Sequence, residues 1–171
     1  FTSKKQVLKY IYDAFGVVNE AFDHLYGVVA LTPEQIDFYV KQYIALINLD
    51  FVYIVVNKED EVIGFGLLGP SLSDAAKKSK GHLFPFGWIR ILRGVKKYDV
   101  LDMYTIAVKP EYQNKGINAL ILHEGIKQAI TKKVKFCETG PELELNNQVQ
   151  SQWKDFNARQ HRRRRCFKKT M

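Results

Sequence analysis

Residues 100–118 read VLDMYTIAVKPEYQNKGIN and set out a strand, a loop and the start of a helix. The segment 100–108 leans apolar throughout, as a strand inside a sheet does, and Pro110 ends it. Gly116 opens a predicted helix that runs to about residue 130 with two largely apolar faces. The first turn of a helix has N–H groups without intrahelical acceptors and carries about half a positive charge. The loop before Gly116 is therefore predicted to bind a phosphate group.

The segments on either side predict helices packed around a sheet. Apolar residues at spacings of three and four predict the first helix, and a Thr cap followed by Pro and Gln predicts the start of the second. β-Branched and aromatic runs around a polar turn predict a hairpin. The predicted elements are helices 4–18 and 33–47, strands 51–57 and 62–68, a polar excursion from Ser71 with a short helix near Trp88, strand 134–138, helix 147–159 and strand 163–168.

Residues 108–118 resemble the acetyl-CoA motif of the GNAT superfamily of acyl-CoA-dependent N-acyltransferases. That motif reads Val-x-Pro-x-x-Arg/Gln-x-x-Gly-x-Gly/Ala, and Val108, Pro110, Gln113 and Gly116 occupy its places. Asn118 departs from it, since Gly or Ala is usual there. The order of predicted elements also follows the superfamily over most of the chain, except that its usual first strand would precede the first helix and is missing.

The resemblance implies an α/β fold, the GNAT fold, with a mixed central sheet flanked by helices and with splayed central strands. Residues 1–171 would form a single GNAT domain, and the start at Phe1 leaves open whether this is the later part of a longer protein. Acetyl-CoA, or another short acyl-CoA, is the implied co-substrate, and no metal is expected. The backbone of Ile106, Ala107 and Val108 would bind the pantetheine arm, and Gln113 would shape the loop. The amides implied to bind the pyrophosphate are those of Asn114, Lys115, Gly116, Ile117 and Asn118.

Acyl transfer to an amine requires a free amine, a polarised carbonyl and a leaving thiolate. The resemblance implies that a strand N–H near Ile106 polarises the carbonyl. Asp102 and Tyr104 share one face of the central strand by the period of two, and Glu138 ends the next strand, so each is a candidate catalytic base acting through water. The alternative is that Asp102 is a strand-edge charge, Tyr104 a packed aromatic ring and Glu138 a solvated strand end.

Trp153 stands where the superfamily usually has the Tyr that protonates the thiolate, and an indole N–H has no usable acidity near neutral pH. Another group such as Tyr112 or solvent would then serve, or the thiolate would leave unprotonated, or the domain would bind acyl-CoA without efficient turnover. We expect Trp153 to be helix core or pocket wall, and His82 and His161 to be surface residues.

Composition indicates a globular, water-soluble chain: 46% of the residues are apolar and 26% are charged. No apolar run approaches the roughly 20 residues that cross a bilayer, so a cytoplasmic location without a membrane partner is expected. Cys137 and Cys166 lack metal-type spacing and are expected to be buried thiols. The aromatic stretch 84–88 would either line an acceptor pocket or cap the core, and a membrane-surface role for the basic, aromatic stretch through Lys97 is a less favoured alternative.

The net charge of +8 is concentrated at the end of the chain, where seven Arg or Lys follow from Arg159 onward without an acid. The other 158 residues therefore carry about +1. The run 162–165 is a candidate for nucleic-acid binding, although a strand there would divide it between two faces, and plain surface charge is favoured. The expected activity is acyl transfer to a small-molecule or protein amine by a monomer or homodimer. The alternative is a non-catalytic acyl-CoA-binding or nucleic-acid-interacting module.

Overall fold

The structure is a computed structural model that describes residues 1–165, 167 and 169. The chain divides into two compact units, residues 1–138 and residues 139–171. The helices are α1 (Lys4–Phe22), α2 (Pro33–Tyr43), α3 (Ser73–Lys78), α4 (Gly87–Gly94), α5 (Ile117–Thr131) and α6 (Asn147–Ser151), and the strands are β1 (Val52–Val56), β2 (Val62–Pro70), β3 (Val100–Val108) and β4 (Phe136–Thr139). Short 3-10 turns occupy Leu49–Phe51, Pro110–Tyr112 and Gln152–Asp155.

The four strands form one mixed sheet in the order β1-β2-β3-β4, with helices flanking it. The first two pairs are antiparallel, and Leu67 pairs with Thr105 while its neighbour Leu68 pairs with Met103. Tyr104 is therefore an extra residue in β3, which makes a β-bulge at this point. The predicted α/β fold with a mixed sheet flanked by helices is confirmed, and β3 begins and ends at its predicted residues.

Two apolar clusters lie on opposite faces of the sheet. On one face, α1 buries a stripe of residues spaced by three and four, which packs on α2 and the sheet. The buried residues of this whole cluster are Val7, Ile11, Ala14, Val17, Ala21, Ile36, Val40, Val52, Val62, Phe65 and Ala107. The other cluster centres on the buried residues Phe51, Leu68 and Leu101, with Met103 and Ala129 packed against them. The spacing of three and four that predicts the first helix is also the spacing of the residues that α1 buries.

Local signals explain where the helices begin and end. Thr32 accepts from the Gln35 N–H while its own N–H donates to the Gln35 side chain, so the capping box that starts α2 is confirmed. The helix ends at Tyr43, four residues earlier than predicted, and the chain continues in a turn whose Leu46 and Ile47 N–H groups both donate to the Tyr43 carbonyl.

The excursion contains two helices where one was predicted. Its first helix, α3, buries only Ala75 and is too short for its periodicity to show in the sequence. The second, α4, is the short helix predicted near Trp88. In the part of the chain that the structure describes, no helix has both the length and the apolar character needed to span a bilayer.

The second unit is less regular than predicted. The α-helix ends at Ser151, whose hydroxyl donates to the Gln148 carbonyl, and the chain leaves the following 3-10 turn in an extended conformation at Phe156. The predicted strand 163–168 is wrong for its described residues, 163–165 and 167, and Cys166 and Lys168 lie outside the described residues. Four consecutive arginines, all exposed, offer no apolar face for a strand to bury.

Candidate acyl-CoA site

The loop after β3 is held to the sheet at two points, Lys109 and Gln113. The Lys109 N–H donates to the Ile63 carbonyl at 3.0 Å, which keeps the chain beside β2 until the 3-10 turn begins. Gln113 then donates through its side-chain amide to the Val108 carbonyl at 3.2 Å. The loop between the strand and α5 is therefore tied back onto the end of β3 by the side chain predicted to shape it.

Backbone conformation makes the loop turn sharply into α5. Asn114 has φ of 59° and Gly116 has φ of 83°, both in the left-handed region, and Gly116 is the N-cap of the helix. Asn and Gly are the residues that adopt this region at least cost. A Cβ at Gly116 would meet no atom within 4 Å, so open space faces the helix start. This is the arrangement in which backbone amides receive an anion.

Two glycines of β2 let the first turns of α5 lie against the sheet. A Cβ at Gly64 would lie 2.8 Å from Ile117 Cγ2, and one at Gly66 would lie 2.5 Å from Ile121 Cγ2. Real Cβ atoms do not approach other atoms so closely, so both positions require glycine for this packing. This packing of α5 on Gly64 and Gly66 was not predicted, although glycines inside a strand signal a close approach of another element.

The outer surface of α5 differs from its predicted character. The predicted second apolar face is exposed, with Leu120 and Ile126 on it and Ile130 exposed by 72%. An open depression of about 340 Å³ lies along the second half of the helix, between His123 and Thr131. It is displaced from the loop at the helix start and includes none of the predicted site residues.

The face of β3 that carries Asp102 also carries the ring of Tyr104. Asp102 pairs with Gly69 across the ladder, and a Cβ at Gly69 would lie 3.1 Å from Tyr104 Cε2. The absence of a side chain at Gly69 therefore makes room for the phenol ring, which is 55% exposed. The bulge puts Thr105 on the opposite face from Met103, out of simple alternation, and the Oγ1 atom of Thr105 is buried without a hydrogen-bond partner.

Electrostatic interactions connect Asp102 with the other candidate groups. Desolvation raises the pKa of the Asp102 carboxyl, a hydrogen bond with the Ser71 side chain lowers it, and the nearby charge of Glu138 raises it. Desolvation and the charge of Asp102 together raise the pKa of the Tyr104 phenol. The structure thus brings the three predicted catalytic candidates into one interacting group, with Ser71 added to it.

Cys137 of β4 lies in the same group, which the sequence did not indicate. The prediction that it is a buried thiol is wrong, because the residue is exposed along the short strand β4. Its thiol is nevertheless partly desolvated by its surroundings, and this, with the charge of Asp102, raises its pKa to about 11. At neutral pH it is therefore a thiol with very little thiolate.

In the second unit, Trp153 donates its indole N–H to the Glu142 carboxylate at 2.7 Å and packs edge-on against Phe156. The ring is half-buried in a 3-10 turn rather than in the predicted helix. Arg165 forms a two-point ion pair with Glu144, at 2.7 and 3.2 Å. This contact uses one guanidinium group of the four-arginine run.

The remaining polar candidates lie outside the group on β3. His82 and His161 are both exposed, as predicted. Tyr112, the alternative acid, is half-buried, with the Lys115 ammonium 5.3 Å from the centre of its ring. Among residues 1–165, 167 and 169, no three His, Cys, Asp or Glu side chains are grouped as metal ligands.

Comparison with known proteins gives the family of this arrangement. Residues 18–151 match the family model of the Acetyltransferase (GNAT) family. The Escherichia coli (strain K12) protein YghO is 26% identical over 176 residues, which is 99% of this chain and 43% of that protein. The chain thus spans less than half the length of this curated relative.

Solved structures share the fold at low sequence identity. The crystal structure of a GNAT family acetyltransferase from Brucella melitensis in complex with acetyl-CoA has a TM-score of 0.53 and 14% identity, over 82% of this chain and 75% of that chain. The structure of AAC(6')-Iy in complex with the bisubstrate analogue CoA-S-monomethyl-acetylneamine has a TM-score of 0.56 and 10% identity, over 95% and 93% of the two chains.

Proposed function

Because the chain belongs to the Acetyltransferase (GNAT) family, we propose that it transfers an acetyl or other short acyl group from CoA to a primary amine. One observation carries the proposal: β3 runs from the group around Asp102 and Tyr104 to Val108, and a loop with left-handed Asn114 and Gly116 then leads into α5. At about 3.3 Å per residue, Val108 and Tyr104 are roughly 13 Å apart, a distance that an extended pantetheine arm spans.

The loop and β3 supply the cofactor contacts. The amides of the segment 114–118 bind the pyrophosphate at the start of α5, where Gly116 leaves open space. Backbone groups of Ile106, Ala107 and Val108 bind the arm along the strand. The crystal complex of the Brucella protein with acetyl-CoA supports this choice of co-substrate.

The proposed acyl-transfer steps follow from the protonation states of the side chains on β3. The amine nitrogen attacks the thioester carbonyl carbon, the C–S bond breaks, and CoA leaves as a thiolate. Asp102 accepts the amine proton through water, since a carboxylate with a raised pKa is a better base than an ordinary one. Glu138, whose charge acts on Asp102, would share this function. Tyr104 keeps its proton near neutral pH and is able to donate it to the thiolate, a function for which Trp153 is unsuited.

The first test is calorimetric titration of the full chain with acetyl-CoA, run in parallel on Gly116→Glu. This substitution places a side chain and a negative charge beside the pyrophosphate and should cost about 1.5 to 3 kcal/mol, at least a tenfold loss of affinity. Gly27→Glu is the matched control, because Gly27 has φ of 77° and no atom within 4 Å of a Cβ. It should leave the affinity unchanged. Equal affinity in Gly116→Glu and the wild type would contradict the assignment of the loop.

Turnover is tested separately, by release of the CoA thiol in the presence of a panel of small and peptide amines. Amine-dependent thiol release that is lost in Asp102→Asn would support the transferase over the non-catalytic alternative. Binding of acetyl-CoA without release for any amine would favour a module that binds acyl-CoA only. We expect the reaction in the cytoplasm, where its co-substrate is made.

A further inference from the structure

The excursion between β2 and β3 presents a large apolar surface to solvent. Five large apolar side chains are exposed within the ten residues of the segment 83–92: Leu83 57%, Phe84 81%, Phe86 65%, Trp88 47% and Leu92 52%. Trp88 and Leu92 are four residues apart and so share one face of α4. We call these five residues the apolar tip.

Close packing and hydrogen bonds hold the backbone beneath the apolar tip. A Cβ at Gly87 would lie 1.9 Å from the His82 carbonyl oxygen, so the chain packs tightly where it enters α4. The Trp88 N–H donates to the Leu83 carbonyl at 2.9 Å. Arg90 donates through its guanidinium to the Lys78 carbonyl at 2.7 Å, which joins α4 to the end of α3. These contacts fix the backbone that carries the apolar tip, so its side chains are exposed by a defined local structure.

The polar part of the indole is already satisfied within the tip. Trp88 Nε1 donates to the Pro85 carbonyl at 2.9 Å. Burial of this ring in an apolar medium would therefore leave no unpaired N–H, which removes the main cost of burying a tryptophan.

Positive charge surrounds the apolar tip. Between residues 73 and 97 the sequence has seven Lys or Arg and one acid, Asp74, a net charge of +6. The Asp74 carboxylate lies 4.0 Å from the Lys97 ammonium and so forms an ion pair with one of these seven cations. The other six are exposed around the excursion: Lys77, Lys78, Lys80, Arg90, Arg93 and Lys96.

We propose that this surface docks the protein onto an anionic lipid bilayer, with the apolar tip inserted among the headgroups and the six cations against their phosphates. Aromatic and leucine side chains on one face with Lys and Arg on the other are the features of interfacial membrane helices. Each juxtamembrane cation adds about 1 kcal/mol on an anionic surface. This inference goes beyond the acyl transfer proposed above and does not depend on it.

Two other occupants fit the surface less well. The apolar centre of a protein interface is depleted in lysine, whereas four of the six exposed cations of this excursion are lysines. A single-stranded nucleic acid needs flat rings for its bases, and two of the five tip residues, Leu83 and Leu92, are aliphatic. The proposal thus differs from the expectation, drawn from the sequence, that the chain has no membrane partner.

Flotation with vesicles tests the proposal on the full chain. Binding is expected to vesicles of phosphatidylcholine mixed with phosphatidylglycerol, and much less to phosphatidylcholine alone. Phe84→Ser combined with Phe86→Ser should reduce the partition coefficient about tenfold or more. Serine suits position 86, the N-cap of α4, so the helix should be retained. Phe38→Ser is the matched control, since Phe38 is 60% exposed on α2 and should not affect binding.

The charge is tested by Arg93→Gln with Lys96→Gln, which should weaken binding roughly fivefold per cation. Lys5→Gln with Lys58→Gln is the control, because both lysines are exposed outside the excursion. The chain has two tryptophans, so Trp153→Phe leaves Trp88 as the reporter. Its emission should shift to the blue on anionic vesicles and be quenched by brominated lipid.

Three results would overturn the proposal. One is wild-type protein that does not float with anionic vesicles. Another is flotation that the paired Phe84 and Phe86 substitutions leave intact. The third is self-association or RNA binding that these substitutions abolish while vesicles are not bound, which would assign the surface to protein or nucleic acid instead.

Discussion

Replacing Gly66 by Ala tests how closely α5 must approach the sheet. The new methyl group would lie 2.5 Å from Ile121 Cγ2, whereas apolar carbons pack at about 3.5 to 4.0 Å. Helix or strand must therefore move by about 1 Å or more, next to an Ile121 side chain that is 1% exposed. Overpacking of this kind should lower the free energy of unfolding by about 1 to 3 kcal/mol.

Urea unfolding followed by circular dichroism measures this change, and a second glycine provides a control of opposite sign. Gly16 lies in α1, where a Cβ would meet nothing within 4 Å, so Gly16→Ala should stabilise the fold by about 0.5 to 1 kcal/mol. Acetyl-CoA affinity should fall in Gly66→Ala, because displacement of α5 moves the loop that we propose binds the pyrophosphate, and should be unchanged in Gly16→Ala.

A compensating substitution at Ile121 tests whether the close approach of α5 is what requires glycine at position 66. Ile121→Leu removes the branched methyl group at about constant volume and should cost less than about 1.5 kcal/mol alone. Combined with Gly66→Ala, it should recover part of the lost stability, so the two effects should not add. If Gly66→Ala unfolds at the same urea concentration as the wild type, or if the two effects simply add, the close approach of α5 is not what requires glycine.

Three further predictions concern the loop and the group around Asp102. Gly116→Ala should cost about 1 to 2 kcal/mol of stability at φ of 83°, and Gly116→Asn less, as urea unfolding will show; equal costs would contradict the left-handed conformation. Cys137, with a pKa of about 11, should react slowly with iodoacetamide at neutral pH in a Cys166→Ser background, and faster after Asp102→Asn; an unchanged rate would separate the two residues. The raised pKa of Asp102 means that its ionisation opposes folding, so Asp102→Asn should stabilise the protein more at neutral pH than below about pH 4, and a pH-independent difference in unfolding would refute this.

Much of the fold could be predicted because local signals and the core agree. The stripe of α1, the capping box at Thr32 and the apolar strand 100–108 each depend on neighbours in sequence, and each is found in the structure. The failures have tertiary or compositional causes. The short helix α3 has too few turns to show a period, and the final strand was predicted on Arg163–Arg165, residues with no apolar face.

The turn from β3 into α5 could be predicted because its proline and its glycine lie close together in the chain, and its binding of phosphate stays a prediction. The group around Asp102 could be predicted only in part, since the period of two placed Asp102 and Tyr104 on one face but gave no sign of the β-bulge at Tyr104. The contribution of Ser71 and the position of Cys137 depend on which strands pair, and a single sequence does not encode this locally.

The bulge at Tyr104 also says something about how this sheet can change by insertion and deletion. Because Thr105 and Met103 already pair with adjacent residues of β2, removing Tyr104 would join two ladders that are in step with each other. No other side chain of β3 would change face, and the buried Leu101 and Ala107 would keep their neighbours. Insertion or deletion of Tyr104 alone would therefore leave the pairing of β2 with β3 in register. Its presence adds a phenol to this face of the sheet while the core residues keep their places.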